Sequence, residues 1–436
     1  MYAGHFNRHF IYYPLHFLIV LLSCLSAKSQ KPDFENFPEE SNKIFQPNIK
    51  SVLFHREGFE LSPPLLRFNH DEQLRLSFDD LDADAKEFTF TIVHCDASWT
   101  PSVLSPNQYI EGYIEDYIYH SSYSQSTLVP YTHYELLFPT DQLKPSVPGN
   151  YILKVYDQQP ENLIFTRRFM VFDQKVEISA QVSKATIIED RKSKQKVTFE
   201  IISAGFRIAN PYRDLKVLII QNGRWDNRIH DLKPRMVVGN RLDYHYDYEN
   251  VFDGGNEFRS IDLKSLNYYS ENVANIETDR NRYYVTLQPD KIRTYQVYKS
   301  EPDINGRMII RTEDRRDSST EAEYVDVSFF LPYSPPLMDG HIYITGALTD
   351  WTYSTENRMN YNFQHKGYEK TLLLKQGYYD YHYVTLFEHS KWGDVAFIEG
   401  NHWEAENDYT ILVYYREPAD LFEQLIGVAQ LNSRIE

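Results

Sequence analysis

Short runs of alternating apolar and polar residues constrain this chain more than any other feature. The clearest is Val325-Asp326-Val327-Ser328-Phe329-Phe330-Leu331, and Leu74, Leu76 and Phe78 keep the same spacing. In an extended chain successive side chains point to opposite faces, so a period of two marks a strand with one buried face. Phe88-Thr89-Phe90-Thr91-Ile92-Val93-His94-Cys95 goes further. Phe88, Phe90, Ile92 and His94 fall on one face and Thr89, Thr91, Val93 and Cys95 on the other, and both faces are partly apolar or β-branched, as in the inner strand of a packed sheet. Aromatics make up 15% of the chain and include 35 tyrosines, punctuated by 17 glycines and 21 prolines. That composition favours many short strands over helices. It predicts an all-β fold of tandem antiparallel β-sandwich, immunoglobulin-like domains.

Further strands are predicted at 49–55 and 64–79, Tyr134–Phe138, Tyr151–Tyr156 after the Pro148-Gly149-Asn150 turn, and Phe165–Phe172. They make a first domain over 31–175, in which residues 96–130 form a long tyrosine-rich loop with short strands. A second β-rich domain over 176–322 has strands at 176–183 and 197–203 around a polar tip, then Leu215–Gln221, 281–287 and 293–298. Its residues 301–322 lack apolar periodicity and read as a loop or linker. A C-terminal immunoglobulin-like, early-set sandwich over 323–436 adds strands at Val325–Leu331, His341–Thr345, Glu369–Lys375, Tyr378–Leu386 and Thr410–Arg416. The tail Asp420–Gln430 reads as one short helix through Leu421, Leu425 and Ile426.

The first thirty residues predict export. Arg8 and His9 precede the apolar run Phe17-Leu18-Ile19-Val20-Leu21-Leu22, and Ser26, Ala27 and Ser29 prepare a cut before Gln30. The run is about half the roughly 20 residues needed to span a bilayer, so a signal peptide over 1–30 fits better than an anchor. Leu21-Leu22-Ser23-Cys24 leaves a lipoprotein signal as a second reading. Cleavage removes Arg8 and Lys28 and no acid, which moves the net charge from −17 to −19. So acidic a surface repels nucleic acid and anionic headgroups. Only Cys95 remains of the cysteines Cys24 and Cys95, which excludes an internal disulfide and a cysteine zinc site.

Phosphate-binding and dinucleotide-binding glycine loops, the Gly-x-Ser-x-Gly elbow and His-Glu-x-x-His are all missing from the sequence. Asp243-Tyr244-His245-Tyr246-Asp247-Tyr248-Glu249 offers His245, Asp247 and Glu249 at alternate strand positions as metal ligands, but a solvated face opposite a tyrosine face is the better reading. His94 and Cys95 invite a base and nucleophile, yet neighbours on a strand point apart. Gly346-Ala347-Leu348-Thr349-Asp350-Trp351 and His402-Trp403-Glu404 offer Trp351 and Trp403 for sugar stacking, or a turn that anchors its tryptophan in a sandwich. The anchoring reading is favoured.

Several blocks in order resemble one family. They are His94-Cys95-Asp96-Ala97-Ser98-Trp99, Tyr109-Ile110-Glu111-Gly112, Tyr131-Thr132-His133-Tyr134, Pro148-Gly149-Asn150-Tyr151-Ile152-Leu153, Thr166-Arg167-Arg168-Phe169-Met170 and Val251-Phe252-Asp253-Gly254-Gly255-Asn256-Glu257-Phe258-Arg259. Leu374-Lys375-Gln376-Gly377-Tyr378-Tyr379, Glu406-Asn407-Asp408-Tyr409 and Val413-Tyr414-Tyr415-Arg416 continue the series. In these blocks the chain is similar to the plug protein of the Bacteroidetes type IX secretion system. Ala347-Leu348-Thr349 departs from the family, where a Phe-Asn pair is expected before Asp-Trp. The resemblance implies a non-enzymatic subunit that seals the periplasmic end of an outer-membrane translocon barrel. It further implies no cofactor, metal or catalytic residue. The expected location is the periplasm, at the inner face of the outer membrane. The expected partner is the large β-barrel, with no nucleic acid and no small-molecule substrate. A glycan-binding module of a surface saccharide system is the alternative, motivated by Trp351 and Trp403.

The candidate contact surface is the aromatic loop, through Trp99, Tyr109, Tyr113, Tyr117, Tyr119, Tyr123 and Tyr131. Tyrosine supplies contact area with a polar tip and little side-chain entropy to lose. The same rings could equally fill a satellite core under the loop.

Overall fold

The computed structural model describes Met1 and residues 41–157, 162–390 and 392–434. The export leader over 1–30 and the lipoprotein reading at Cys24 lie outside the described residues, Met1 apart. No helix among the described residues is long and apolar enough to cross a membrane.

Alternation builds three two-sheet sandwiches, each around its own core. In the first, the strands Lys43–Ile44, Leu163–Phe172, Gly149–Tyr156, Phe88–Cys95 and Asp116–Ile118 lie in that order, with Leu65–Arg67 added parallel to Leu163–Phe172. They face a sheet ordered Ile49–Arg56, Leu74–Asp80, Thr132–Phe138, His120–Tyr123. Leu74, Leu76, Phe78, Phe90, Tyr134, Phe138, Tyr151 and Phe169 fill the space between. Phe78 stacks on Tyr134 at 5.1 Å and meets Phe165 edge-on at 5.0 Å, as aromatic quadrupoles prefer.

Strand pairing divides the remainder differently from the expected order. Leu215–Gln221 pairs with Asp408–Tyr415, which pairs with Gln424–Asn432. These strands form one sheet of the second sandwich, against Glu177–Lys184, Lys194–Ile202, Arg241–Asp243 and Met236–Val238. Residues 254–407 are therefore inserted into the second sandwich, and 408–432 return to it, whereas the sequence placed them in a third domain over 323–436. Val197, Phe199, Ile219, Ile411 and Val413 close the shared core. The inserted sandwich has Val273–Thr278, Tyr283–Leu287, Tyr324–Pro332, Gly367–Lys375 and Asn360–Asn362 in one sheet. Its other sheet centres on Gly377–Phe387.

Two local expectations are corrected. The tail is the strand Gln424–Asn432, not a helix. Leu421 is exposed, while Leu425 joins one apolar cluster and its neighbour Ile426 the opposite one, which only an extended chain allows. Residues 293–298 form no strand, and Tyr295 and Val297 are almost wholly exposed.

A fourth apolar cluster joins the first two sandwiches face to face. Cys95, Trp99, Ile152 and Met170 of the first pack on Leu218, Ile220, Leu412, Tyr414 and Leu425 of the second. Strands buried on both faces carry nearly continuous apolar runs, and Leu215-Lys216-Val217-Leu218-Ile219-Ile220 is one. Tyr414 adds a hydroxyl donated to Asn150 Oδ1 at 2.7 Å.

Candidate functional site

The aromatic loop is built as a strap across the open side of the first sandwich. Ser105 and Gln108 form a capping box that starts the short helix Pro106–Tyr109. Tyr109 ends it, buried against His94 and Tyr151. The chain then pairs Ile110–Gly112 with Leu143–Pro145. Gly112 sits at φ 101°, where a Cβ would lie 2.1 Å from the Gln142 carbonyl oxygen, so no other residue fits that turn. From there Asp116–Ile118 lies along Phe88–Phe90. Asp116 and Ile118 point inward and Tyr117 outward. Asp116 is fixed by a hydrogen bond from Thr140 Oγ1 at 2.8 Å. His120–Tyr123 crosses to the other sheet and pairs with Thr132–Glu135, with every side chain exposed.

This construction sorts the candidate rings. Tyr113, Tyr117, Tyr119 and Tyr123 are 67%, 50%, 73% and 59% exposed, with Ile114 half-exposed beside them. Trp99, Tyr109 and Tyr131 are buried and leave the candidate surface. Trp99 fills the cluster between the first two sandwiches, edge-on to Trp225 at 4.9 Å and under the Arg168 guanidinium at 4.5 Å. Tyr131 donates its hydroxyl to the Ala322 and Ser319 carbonyls at 2.9 and 3.1 Å. The sequence could not separate the two sets, because the burying partners come from elsewhere in the chain: Trp225 for Trp99, His94 and Tyr151 for Tyr109, and residues 319–322 for Tyr131.

Charge is concentrated where the first and inserted sandwiches meet. Asp79 and Lys375 are both fully buried and paired at 2.7 Å. His133 Nδ1 lies 2.6 Å from the other Asp79 oxygen, and Tyr324 donates its hydroxyl to Asp79 at 2.7 Å. Burial pushes the Asp79 carboxyl up, but Lys375 and then His133 outweigh it and hold the group below its usual range. The Lys375 ammonium also lies 4.1 Å from the centre of the Tyr131 ring. A groove of about 690 Å³ opens beside this cluster, lined by His55, Phe59, Arg75, Glu135 and Met308 among others. Its charges are already satisfied within the protein: Arg75 by Glu57 at 2.6 Å and Glu135 at 2.8 Å, and Arg311 by Glu60 at 3.3 Å. The sequence reading missed this cluster, although charges inside apolar runs (Phe78-Asp79-Asp80 and Leu372-Leu373-Leu374-Lys375) were the available signal. Nearby, Glu323 accepts the Leu128 and Val129 amides at 2.5 and 3.1 Å, and Arg167 pairs with Asp350 at 3.1 Å.

The other singled-out residues take structural positions. His94 packs edge-on to Tyr151 at 5.0 Å and to Phe422 at 5.4 Å, while Cys95 faces the second sandwich. Burial lowers the His94 pKa to about 4. The strand carrying Asp243 ends there. Asp243 binds Arg235 at 2.7 Å and His245, and Asp247 binds Lys196 at 3.2 Å, so the potential ligands part company. Among the described residues no three His, Cys, Asp or Glu side chains converge on a possible metal position. Trp351 packs edge-on to Phe258 at 5.9 Å and against Gly306, where a Cβ would lie 2.4 Å from the ring. Its neighbour Asp350 is committed to Arg167, so the turn anchors two sandwiches. Trp403 is covered by Lys184 at 3.9 Å. Both rings are thus half-buried and engaged by protein side chains, as the anchoring reading expects.

Residues 49–173, the first sandwich almost end to end, match the family described as type 9 secretion system plug protein, first domain. The chain belongs to the type IX secretion plug family. This plug-family chain is also similar to the crystal structure of a hypothetical protein from Parabacteroides merdae ATCC 43184, with 36% identity and a TM-score of 0.87, over 90% of this chain and 99% of that one. That likeness extends the shared architecture through the second and inserted sandwiches. Dimeric latent PorU from Porphyromonas gingivalis, at 10% identity and a TM-score of 0.14 over 88% of this chain and 34% of that one, is too unlike it to bear on the fold. No curated protein matches the plug-family chain.

Proposed function

We propose that this protein is a non-enzymatic gating subunit that closes the periplasmic end of the type IX outer-membrane translocon and docks through the strap. Family membership supports the system, and the exposure of Tyr113, Tyr117, Tyr119 and Tyr123 on one strap supports the surface. A seal must resist deformation. The apolar face between the first two sandwiches and the buried ion pair to the inserted one serve that need. A seal must also bind a partner, and rigid aromatic rings on an anchored strap do so at small entropic cost. The periplasmic location and the barrel as partner belong to this reading.

The test replaces Tyr113, Tyr117 and Tyr119 with alanine and measures binding to the purified translocon barrel. Tyrosines at interface centres cost about 2 kcal/mol each when truncated. Association should weaken by well over tenfold, since about 1.4 kcal/mol is a factor of ten. The melting temperature should stay near that of the wild type, because these rings fill no core. Unchanged affinity would remove the strap from the contact.

A further inference from the structure

The outer edge of the strap has a feature that the rings do not explain. His120–Tyr123 is the last strand of its sheet, and among the described residues nothing pairs with its far side. Its register sets His120 opposite Glu135, Ser121 opposite Tyr134, Ser122 opposite His133 and Tyr123 opposite Thr132. The Ser124 amide continues the ladder, donating to the Tyr131 carbonyl at 2.8 Å. In an antiparallel ladder the residues facing each other alternate between bonded and non-bonded pairs. Ser124 is bonded inward, so His120 and Ser122 are as well. The main-chain N–H and C=O groups of Ser121 and Tyr123 therefore point outward.

The next residue in the outward series shows this edge accepting main chain. The Gln125 amide donates to the Thr320 carbonyl of the inserted sandwich at 2.8 Å. Proteins usually blunt an open edge with Lys, Pro, a bulge or an inward charge. Tyr119-His120-Ser121-Ser122-Tyr123 has no Lys and no Pro, and its register is unbroken. Nor does the core hold this strand in place, since all four side chains of His120–Tyr123 are exposed. Tyr117 and Tyr119 stand at one end, their rings 5.9 Å apart, and Tyr123 at the other.

We propose that the outward edge at Ser121 and Tyr123 pairs main chain to main chain with an extended segment of the translocon, with the flanking tyrosines gripping alternate side chains of that segment. The inference rests on the docking surface proposed above and specifies its chemistry. Outward N–H and C=O groups are satisfied by another extended backbone, and strand addition takes affinity from these bonds and selectivity from side-chain pockets on either side.

Ser121→Pro removes an outward donor and no bond to the neighbouring strand, so the variant should melt like the wild type and bind the purified barrel about tenfold more weakly. Ser122→Pro removes an inward bond and should lower the melting temperature. In the wild-type complex the amides of Ser121 and Tyr123 should exchange hydrogen more slowly than in the free protein. If Ser121→Pro binds normally while the Tyr113, Tyr117 and Tyr119 triple variant does not, docking runs through the rings alone; this inference falls and the proposed function stands. If both variants bind normally, the strap is not the contact and both readings fall. If Ser121→Pro does not fold, exchange in the wild-type complex decides, and unchanged rates at Ser121 and Tyr123 overturn the pairing.

Discussion

Asp79→Ala is expected to destabilise the protein by about 3–5 kcal/mol, the usual result of leaving a buried charge unpaired. Asp79 and Lys375 are each about 1% exposed at the side chain, so solvent cannot take over the lost partner. With the carboxylate gone, Lys375 keeps the Ser319 carbonyl at 2.8 Å and the Tyr131 and Tyr324 rings, none of which carries a compensating charge. Tyr324 keeps Ser51, and His133 keeps the distant Glu135 at 3.4 Å. Burial already pushes the Lys375 pKa down against the pull of Asp79, so removal of that pull favours the neutral amine. The cost falls on the joint between the first and inserted sandwiches, and a separate early transition should appear in calorimetry. A double variant, Asp79→Leu with Lys375→Met, should recover much of the loss, because an apolar pair carries no desolvation penalty. A single variant that melts like the wild type would show that the pair contributes nothing to the joint.

Trp99→Ala is expected to cost about 3–5 kcal/mol as well, by a different route. The ring is 3% exposed and central to the apolar cluster between the first two sandwiches, against Trp225 and beneath Arg168. Its removal leaves a cavity bounded by two rigid sheets, which have little freedom to collapse into it. Trp99→Phe should cost less than half as much, since most of the cluster's contacts survive. Binding to the translocon, measured below the melting transition, should be unaffected by either change. This separates Trp99 from Tyr113, Tyr117 and Tyr119, for which binding should fall and stability should hold. A Trp99→Ala protein of normal stability and impaired binding would reverse the assignment of the two sets.

The local structure was largely legible in the sequence. Val325–Leu331 and Phe88–Cys95 fall in strands because alternation fixes which side chains share a face whatever the neighbours are. His94 and Cys95 part to opposite faces for the same reason. The polar stretch expected as a tip at 190–196 lies only partly between strands: the second strand already starts at Lys194, and Gln195 is buried, donating to the Trp403 and Ala405 carbonyls at 2.7 Å.

Long-range pairing was not legible. Backbone N–H and C=O groups are identical from residue to residue, so periodicity alone cannot say that Leu215–Gln221 pairs with Asp408–Tyr415 across the whole inserted sandwich. Burial of individual aromatics was hidden likewise. Trp99 and Tyr117 belong to one loop and one residue class, and it is the cluster between the first two sandwiches, with Trp225 and Arg168 brought in from distant strands, that buries the first while the second stays half-exposed. Asp79 and Lys375 are 296 residues apart, and neither explains its own burial until the other is beside it. The sequence by itself determined that the chain forms short strands with buried faces, because that follows from side-chain order alone. The tertiary structure decided which strands share a sheet, which rings remain exposed and where charge is buried, because each depends on partners that only the folded chain brings together.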